Sequence, residues 1–330
     1  MAEPNTDLKA QFSKIMTFFM IFAVIITIII YINVEGGKKN KCPELPSKSA
    51  IISVYDNTNI PLTTPISQLY IMTAYNCCCL GKFKNDYVNG DNTNIQQKFC
   101  ALQNCALQGV RALDFTVYLQ KGVPVISAST TNDNNYKEMY NSVDFNNTMV
   151  NVKRYFLLDT NSSTVKDPLF LIFRIYSDKQ ETYNLVATTL NEIFGVNNEY
   201  GNFIYTKTYN KTITLKDIQN SRVVIMIEPF STNLLNNSQL NLITSVTLDP
   251  TGKTYPSIKR LVDIKSNTSN NLVLLYPDFD NNSSNNYDSK LNGFRNKISF
   301  TAMNFQNKDY NLTTYTKQFN GQSFIIFPTE

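Results

Sequence analysis

The chain offers cysteine, aspartate, arginine and tyrosine for chemistry, but of its 330 residues none is histidine. Histidine is the one side chain whose unperturbed pKa lies near neutrality. Its absence excludes serine–histidine triads, histidine metal sites and two-histidine acid/base mechanisms. The 6 cysteines are clustered: Cys42, the tandem Cys77, Cys78 and Cys79, then Cys100 and Cys105. Three uses are open to them. Disulfides, for instance between the triplet and a helix carrying Cys100 and Cys105, suit an even count on the large side of a membrane anchor. Zinc would want C-x₂-C spacing and has no histidine to draw on. Buried thiols would serve as small apolar residues. No glycine-rich phosphate loop, dinucleotide fingerprint or haem motif occurs, so no cofactor is expected. Basic residues number 30 against 26 acidic, a net charge of +4. They are spread along the chain, which argues against nucleic acid as a partner.

These residues must be positioned by a folded body, for which 42% hydrophobic and 17% charged positions are adequate. No charged residue lies between Lys14 and Glu35. The run Met16 to Ile32, MTFFMIFAVIITIIIYI, with its flanks approaches the roughly 20 residues that span hydrocarbon. It reads as an uncleaved signal-anchor, since a signal peptide would carry a shorter apolar region, a basic start and a small-residue cleavage site. Lysines on both sides, Lys9 and Lys14 before and Lys38, Lys39 and Lys41 after, leave the orientation open. The expected organisation is a tail over 1–14, a transmembrane helix over 15–34, a stalk over 35–64 and one barrel domain over 65–330. Beyond the stalk, short apolar runs alternate with helical patterns, an α/β signature. Strands are expected at Leu69–Ala74, Ala112–Tyr118, Leu169–Ile175, Val223–Ile227, Leu272–Tyr276, Phe300–Asn304 and Phe324–Phe327. Helices are expected at Ile95–Gln108, stopped by Gly109, and Thr182–Phe194, with Gly195 as a left-handed cap. The stretches Thr130–Asn135 and Asp278–Ser289 read as surface loops. Roughly eight Asn-x-Ser/Thr sequons occur, about what chance gives in so asparagine-rich a chain.

Four segments, in order, resemble the catalytic barrel of phosphatidylinositol-specific phospholipase C, and most closely the phospholipase-C-like membrane proteins of large DNA viruses. They are IMTAYNCCCLG from Ile71, GVRALDFTVYLQKGVPVISAS from Gly109, DPLFLIFRI from Asp167, and a closing half running from LLYP at Leu274 through SSNNYD at Ser283 and FTAMNFQN to FNGQSFIIFP. The fold this implies is a distorted TIM-type (β/α) barrel with its chemistry at the C-terminal ends of the strands. Transferred residue by residue, the resemblance places Tyr75 and Ala128 where the family's two catalytic histidines stand. Asn76 keeps a calcium-ligand position and Asp114 replaces a ligand glutamate, while Thr116 and Arg174 fill the places of two further acidic ligands. Leu274 replaces the phosphate-holding arginine, and Tyr276 keeps the ring-stacking tyrosine. Asn304 and Gln306 look like framework positions.

Cleaving a phosphodiester needs a base, an acid and positive charge on the developing phosphorane. Tyrosine, with a pKa near 10, is a poor base at neutral pH. Calcium wants six to eight oxygens, several of them carboxylate. The expectation is therefore a pseudoenzyme without bound metal, in which Arg174 occupies the metal position and pairs with Asp114; the competing reading has both facing solvent. Three functions follow. The first is a viral envelope or virion membrane protein with a structural, attachment or cell-penetration role and virion or host-surface partners. The second is a binder of an anionic lipid headgroup at Asn76, Arg174 and Tyr276. The third is a divergent phosphodiesterase using Asp114 and Arg174.

Overall fold

In the computed structural model the described residues are 6–38, 51–77, 99–127, 142–160, 162–196, 199–249, 257–260, 271–277, 285 and 288–328. They divide into two units, residues 1–41 and 42–330. The first carries α1 (Thr6–Lys38). Its segment Gln11–Tyr31, with mean hydropathy 2.4 and no buried face, is long and apolar enough to cross a membrane. The helix extends beyond the expected 15–34 because Ala10, Gln11 and their neighbours are good helix formers and no proline or glycine intervenes between Pro4 and Gly36.

The second unit is a curled parallel sheet covered by helices. Its strands are β1 (Leu69–Ala74), β2 (Ala112–Gln120), β3 (Val123–Ile126), β4 (Val143–Asp144), β5 (Leu169–Ile175), β6 (Val223–Pro229), β7 (Val246–Thr247), β8 (Ser257–Arg260), β9 (Val273–Tyr276), β10 (Phe300–Met303) and β11 (Phe324–Ile326). The helices are α2 (Cys100–Leu107), α3 (Phe145–Lys153), α4 (Gln180–Phe194), α5 (Thr232–Asn236), α6 (Leu240–Ile243) and α7 (Tyr310–Gln318). Parallel pairing runs in the order β7-β6-β5-β2-β1-β10-β9-β8; β11 lies antiparallel on β1, and β3 and β4 extend β2 as an antiparallel flap.

Strand periodicity sorts the apolar residues into two layers. One set, with Ile71, Ala112, Phe170, Ile172, Val224, Met226, Leu274 and Phe300, fills the inside of the curl. The alternate set, with Leu113, Phe115, Leu171, Phe173, Ile225 and Ile227, packs against the helices, among them Tyr183, Val186 and Leu190 of α4. All expected strands form, with ends shifted by a residue or two.

Two expectations are corrected. Residues 51–64 are not stalk but part of the body. Ile51, Val54 and Ile60 are buried, Ile52 N donates to Gly321 O at 2.9 Å, and Asp167 Oδ1 accepts from Ser53 Oγ and from Val54 N at 3.1 Å. The hydrophobic residues of this stretch close the N-terminal end of the curl, where Arg111, fully buried, donates to the carbonyls of Phe156, Asp167 and Pro168. Helix α4 begins at Gln180, and Gly195 ends it with φ −78 and ψ −170, extended rather than left-handed. Gly109 does take a left-handed φ of +84 after α2. A bridge from the triplet to α2 does not use Cys77 or Cys105. Cys77 is a reduced thiol donating to Ala74 O at 3.2 Å, and Cys105 is a buried free thiol. Both sit in the apolar layer under the helices, where cysteine packs as a small hydrophobe. Cys100 is disulfide-bonded. Cys42, Cys78 and Cys79, and the expected loop Thr130–Asn135, lie outside the described residues, as do most positions of Asp278–Ser289.

Candidate functional site

The inward positions at the C-terminal strand ends carry the polar side chains. On β2, Asp114 and Thr116 follow Ala112 at a spacing of two and share its inward face. On β5, Arg174 follows Phe170 and Ile172 in the same way, and on β6 Glu228 follows Val224 and Met226. The parallel register sets Thr116 against Arg174 and Arg174 against Glu228. Tyr75 and Asn76 come directly after β1, and Tyr276 ends β9.

The centre of the site is a bidentate ion pair. Arg174 Nε donates to Asp114 Oδ1 and Nη2 to Asp114 Oδ2, each at 2.7 Å, with the two side chains 4% and 1% exposed. Two hydrogen bonds of this length, one to each carboxylate oxygen, are the strong form of guanidinium–carboxylate contact. Asn76 adopts a left-handed φ of 46, which asparagine tolerates, and its N donates to Asp114 Oδ2 at 3.2 Å. Asn76 Oδ1 accepts from Thr116 Oγ1 and from Arg174 Nη2, both at 3.4 Å. The rings of Tyr75 and Tyr276 are parallel, with centroids 6.1 Å apart, and the guanidinium carbon lies 4.9 Å from the first and 5.4 Å from the second. Both distances fall within cation–π range. Arg174 Nη1 reaches Tyr176 OH at 3.5 Å, and Tyr176 packs edge-on against Tyr118.

Burial pulls the guanidinium towards deprotonation, but the Asp114 carboxylate, with Tyr75 and Tyr176, more than reverses this and holds Arg174 well above its ordinary value. Burial pushes the Tyr75 phenol up, against the lowering influence of Arg174. Tyr176 is pushed well up by burial, with Arg174 opposing and Glu228 adding. Neither phenol is fitted to act as a base at neutral pH.

Of the residues expected from the sequence, Tyr75, Asn76, Asp114, Thr116, Arg174 and Tyr276 meet in this cluster. Leu274 lies one inward position below Tyr276, fully buried among Ile71, Ala302 and Phe300, so it contributes to the apolar floor. Ala128 falls outside the described residues. Glu228, Tyr118 and Tyr176 escaped the sequence reading. The signal for Glu228 was present: a lone acid two positions after Met226 at the end of an otherwise apolar strand. Asn304 and Gln306 form the neighbouring rim. Asn285, 1% exposed, accepts from Asn304 N at 2.7 Å and donates through Nδ2 to the carbonyls of Asn304 and Asn307 and to Asp309 Oδ1, each at 3.2 Å. Gln306 Nε2 donates to Asn304 Oδ1 at 3.1 Å.

The donor set does not fit calcium. Both Asp114 oxygens are taken by Arg174, the Asn76 oxygen is shared by two donors, and a guanidinium stands within the cluster to repel a dication. Among the described residues no group of three or more acidic or cysteine side chains converges.

No family profile matches the sequence, and no curated protein matches it. Solved structures do match the fold. The crystal structure of PLC21 from L. pealei superposes with a TM-score of 0.59 at 14% identity over 84% of this chain and 38% of that one, and PLC21 from S. officinalis gives the same values. A calcium-dependent phosphoinositol-specific phospholipase C from a Gram-negative bacterium, Pseudomonas sp., superposes with a TM-score of 0.50 at 11% identity over 85% of this chain and 99% of that one. The chain thus spans 38% of the length of the PLC21 chains and nearly all of the bacterial one. Its second unit has the phospholipase-C-like TIM-barrel fold.

Proposed function

We propose that this protein is a membrane-anchored, phospholipase-C-like barrel that does not hydrolyse phosphodiesters and serves as a virion or envelope membrane protein with a structural, attachment or cell-penetration role. The observation that carries the loss of activity is the Arg174–Asp114 pair. It ties the cluster's guanidinium to an internal carboxylate and takes up the oxygens a metal would need. Proton transfer fares no better, because burial raises the Tyr75 phenol away from the range of a working base. Anchoring rests on the apolar segment Gln11–Tyr31. The viral setting rests on the motif order from Ile71 to Pro328, which resembles the membrane proteins of large DNA viruses. The test is incubation of the full chain, in detergent micelles, with labelled phosphatidylinositol in the presence and absence of calcium. No release of inositol phosphate above the protein-free control is expected. Turnover that Asp114→Asn abolishes would sink the proposal in favour of a divergent phosphodiesterase.

A second reading is favoured by the half-buried, parallel rings of Tyr75 and Tyr276, which leave an aromatic rim beside Arg174. Such a rim suits an inositol phosphate held without cleavage. Calorimetric titration with soluble inositol phosphates distinguishes it, since the anchor would float with any liposome. Heat no greater than that of the Arg174→Met variant ends the binder reading.

A further inference from the structure

The Asn-x-Ser/Thr sequons whose asparagine lies within the described residues begin at Asn146, Asn210, Asn236 and Asn311. Counting sequons says nothing about their use, but the folded body separates them. A glycan is bulky and hydrophilic and must leave the asparagine nitrogen straight into solvent. Asn311 fails that requirement: it is half-buried, its Nδ2 donates to Asn285 O at 2.5 Å, and Leu312 within the sequon is buried. At Asn146 the hydroxyl residue Thr148 is fully buried and bonded to Asp144 O at 2.7 Å. At Asn236 the hydroxyl of Ser238, 8% exposed, is bonded to Leu235 O at 2.6 Å. Asn210, Lys211 and Thr212 are all exposed. The Asn210 amide oxygen accepts from Thr212 N at 2.9 Å and from Thr212 Oγ1 at 2.6 Å, and these contacts leave the amide nitrogen out of the turn.

We infer that Asn210 is an N-linked glycosylation site and hence that the barrel lies on the lumenal, oxidising side of the membrane. In the reaction the Asn210 Nδ2 bonds to the anomeric carbon of a lipid-linked oligosaccharide diphosphate. The bond from that carbon to the diphosphate oxygen breaks, the diphosphate leaves with its electron pair, and the nitrogen loses one proton. The assignment of Cys100 to a disulfide accords with that side. The lysines flanking α1 left that side undecided. The glycan would stand clear of the Arg174 cluster. Ile66 N bonds to Ile213 O at 2.9 Å and Thr214 bridges to Pro65, so the turn borders the start of β1, at the end of the barrel away from Tyr75 and Asn76.

The placement of the barrel across a membrane rests on the anchoring reading, and the experiment keeps the two apart. The full chain is translated with glycosylation-competent microsomes and the membranes are extracted with alkaline carbonate. The pellet and the supernatant are both treated with peptide N-glycosidase in ¹⁸O water and analysed by peptide mass spectrometry. An ¹⁸O-labelled aspartate at position 210 is expected, together with loss of one glycan from both Asn210→Gln and Thr212→Ala. The second variant retains the asparagine, so its loss reports the sequon rather than a folding defect. An unmodified Asn210 overturns the inference in either fraction, whereas release by carbonate overturns the anchoring reading alone.

Discussion

Replacing Arg174 by methionine tests the centre of the site. The variant keeps much of the side chain's apolar length while removing the guanidinium, so Asp114, 1% exposed, loses both 2.7 Å bonds and keeps the longer one from Asn76 N. Breaking a buried pair by removing one partner costs about 3–5 kcal/mol, because the remaining charge is stranded. The lost contact with the Tyr75 and Tyr276 rings adds to it. For a body of this size that corresponds to a fall in melting temperature of about 10 °C. Asp114→Asn should cost nearly as much, while the double variant, which strands neither charge, should lose far less than the sum. A coupling of roughly 3 kcal/mol or more is expected. The chain has 19 tyrosines and no tryptophan. Unfolding of the detergent-solubilised protein is therefore followed by tyrosine fluorescence and circular dichroism in urea. If Arg174→Met stays within about 1 kcal/mol of the parent, the pair behaves as a solvated surface contact and the reasoning about the site fails.

Further outcomes concern the rest of the body. Burial raises Asp167 from 3.8 to about 6, with Arg111, Ser53 and Val54 opposing. The native state therefore keeps a proton that the unfolded chain gives up, and stability should climb as pH falls from about 7 towards 4, by at most roughly 3 kcal/mol. Asp167→Asn should flatten that part of the melting-temperature profile; an unchanged slope would assign the effect to other groups. Asn285→Asp removes the donor to two carbonyls and sets a second carboxylate against Asp309, and a loss of about 2–3 kcal/mol should appear in the urea midpoint. Gly109→Ala forces a β-carbon into a φ of +84 and to 2.7 Å from Ile51 Cδ1, and should cost about 1–3 kcal/mol by the same measurement. Burial pushes the Cys105 thiol up to about 12, so it should resist alkylation until the body unfolds, as peptide mapping after a timed iodoacetamide pulse would show.

The sequence by itself determined much of this protein. An uncharged run from Ile15 to Val34 reads as a helix long and apolar enough to cross a membrane. Strands such as LFLIFRI and VVIMIEP announce themselves because both faces are buried and every position is therefore apolar until the strand end. The absence of histidine removed a class of mechanisms outright. The resemblance to the phospholipase C motif order placed Asn76, Asp114 and Arg174 in one neighbourhood. What tertiary structure decided were the relations that depend on register and enclosure. The sequence left open whether Asp114 and Arg174 meet or face water, since they are 60 residues apart and join only when β2 and β5 pair with Thr116 opposite Arg174. Glu228 joins them by the same parallel register on the other side. The stretch 51–64 looked like linker because its polar and proline content resembles one. It is body because Ser53 and Val54 donate to a buried carboxylate more than a hundred residues away. The same distinction separates Asn210 from the other sequons: a tripeptide is a local pattern, whereas freedom to carry a glycan is set by what the rest of the chain packs around it.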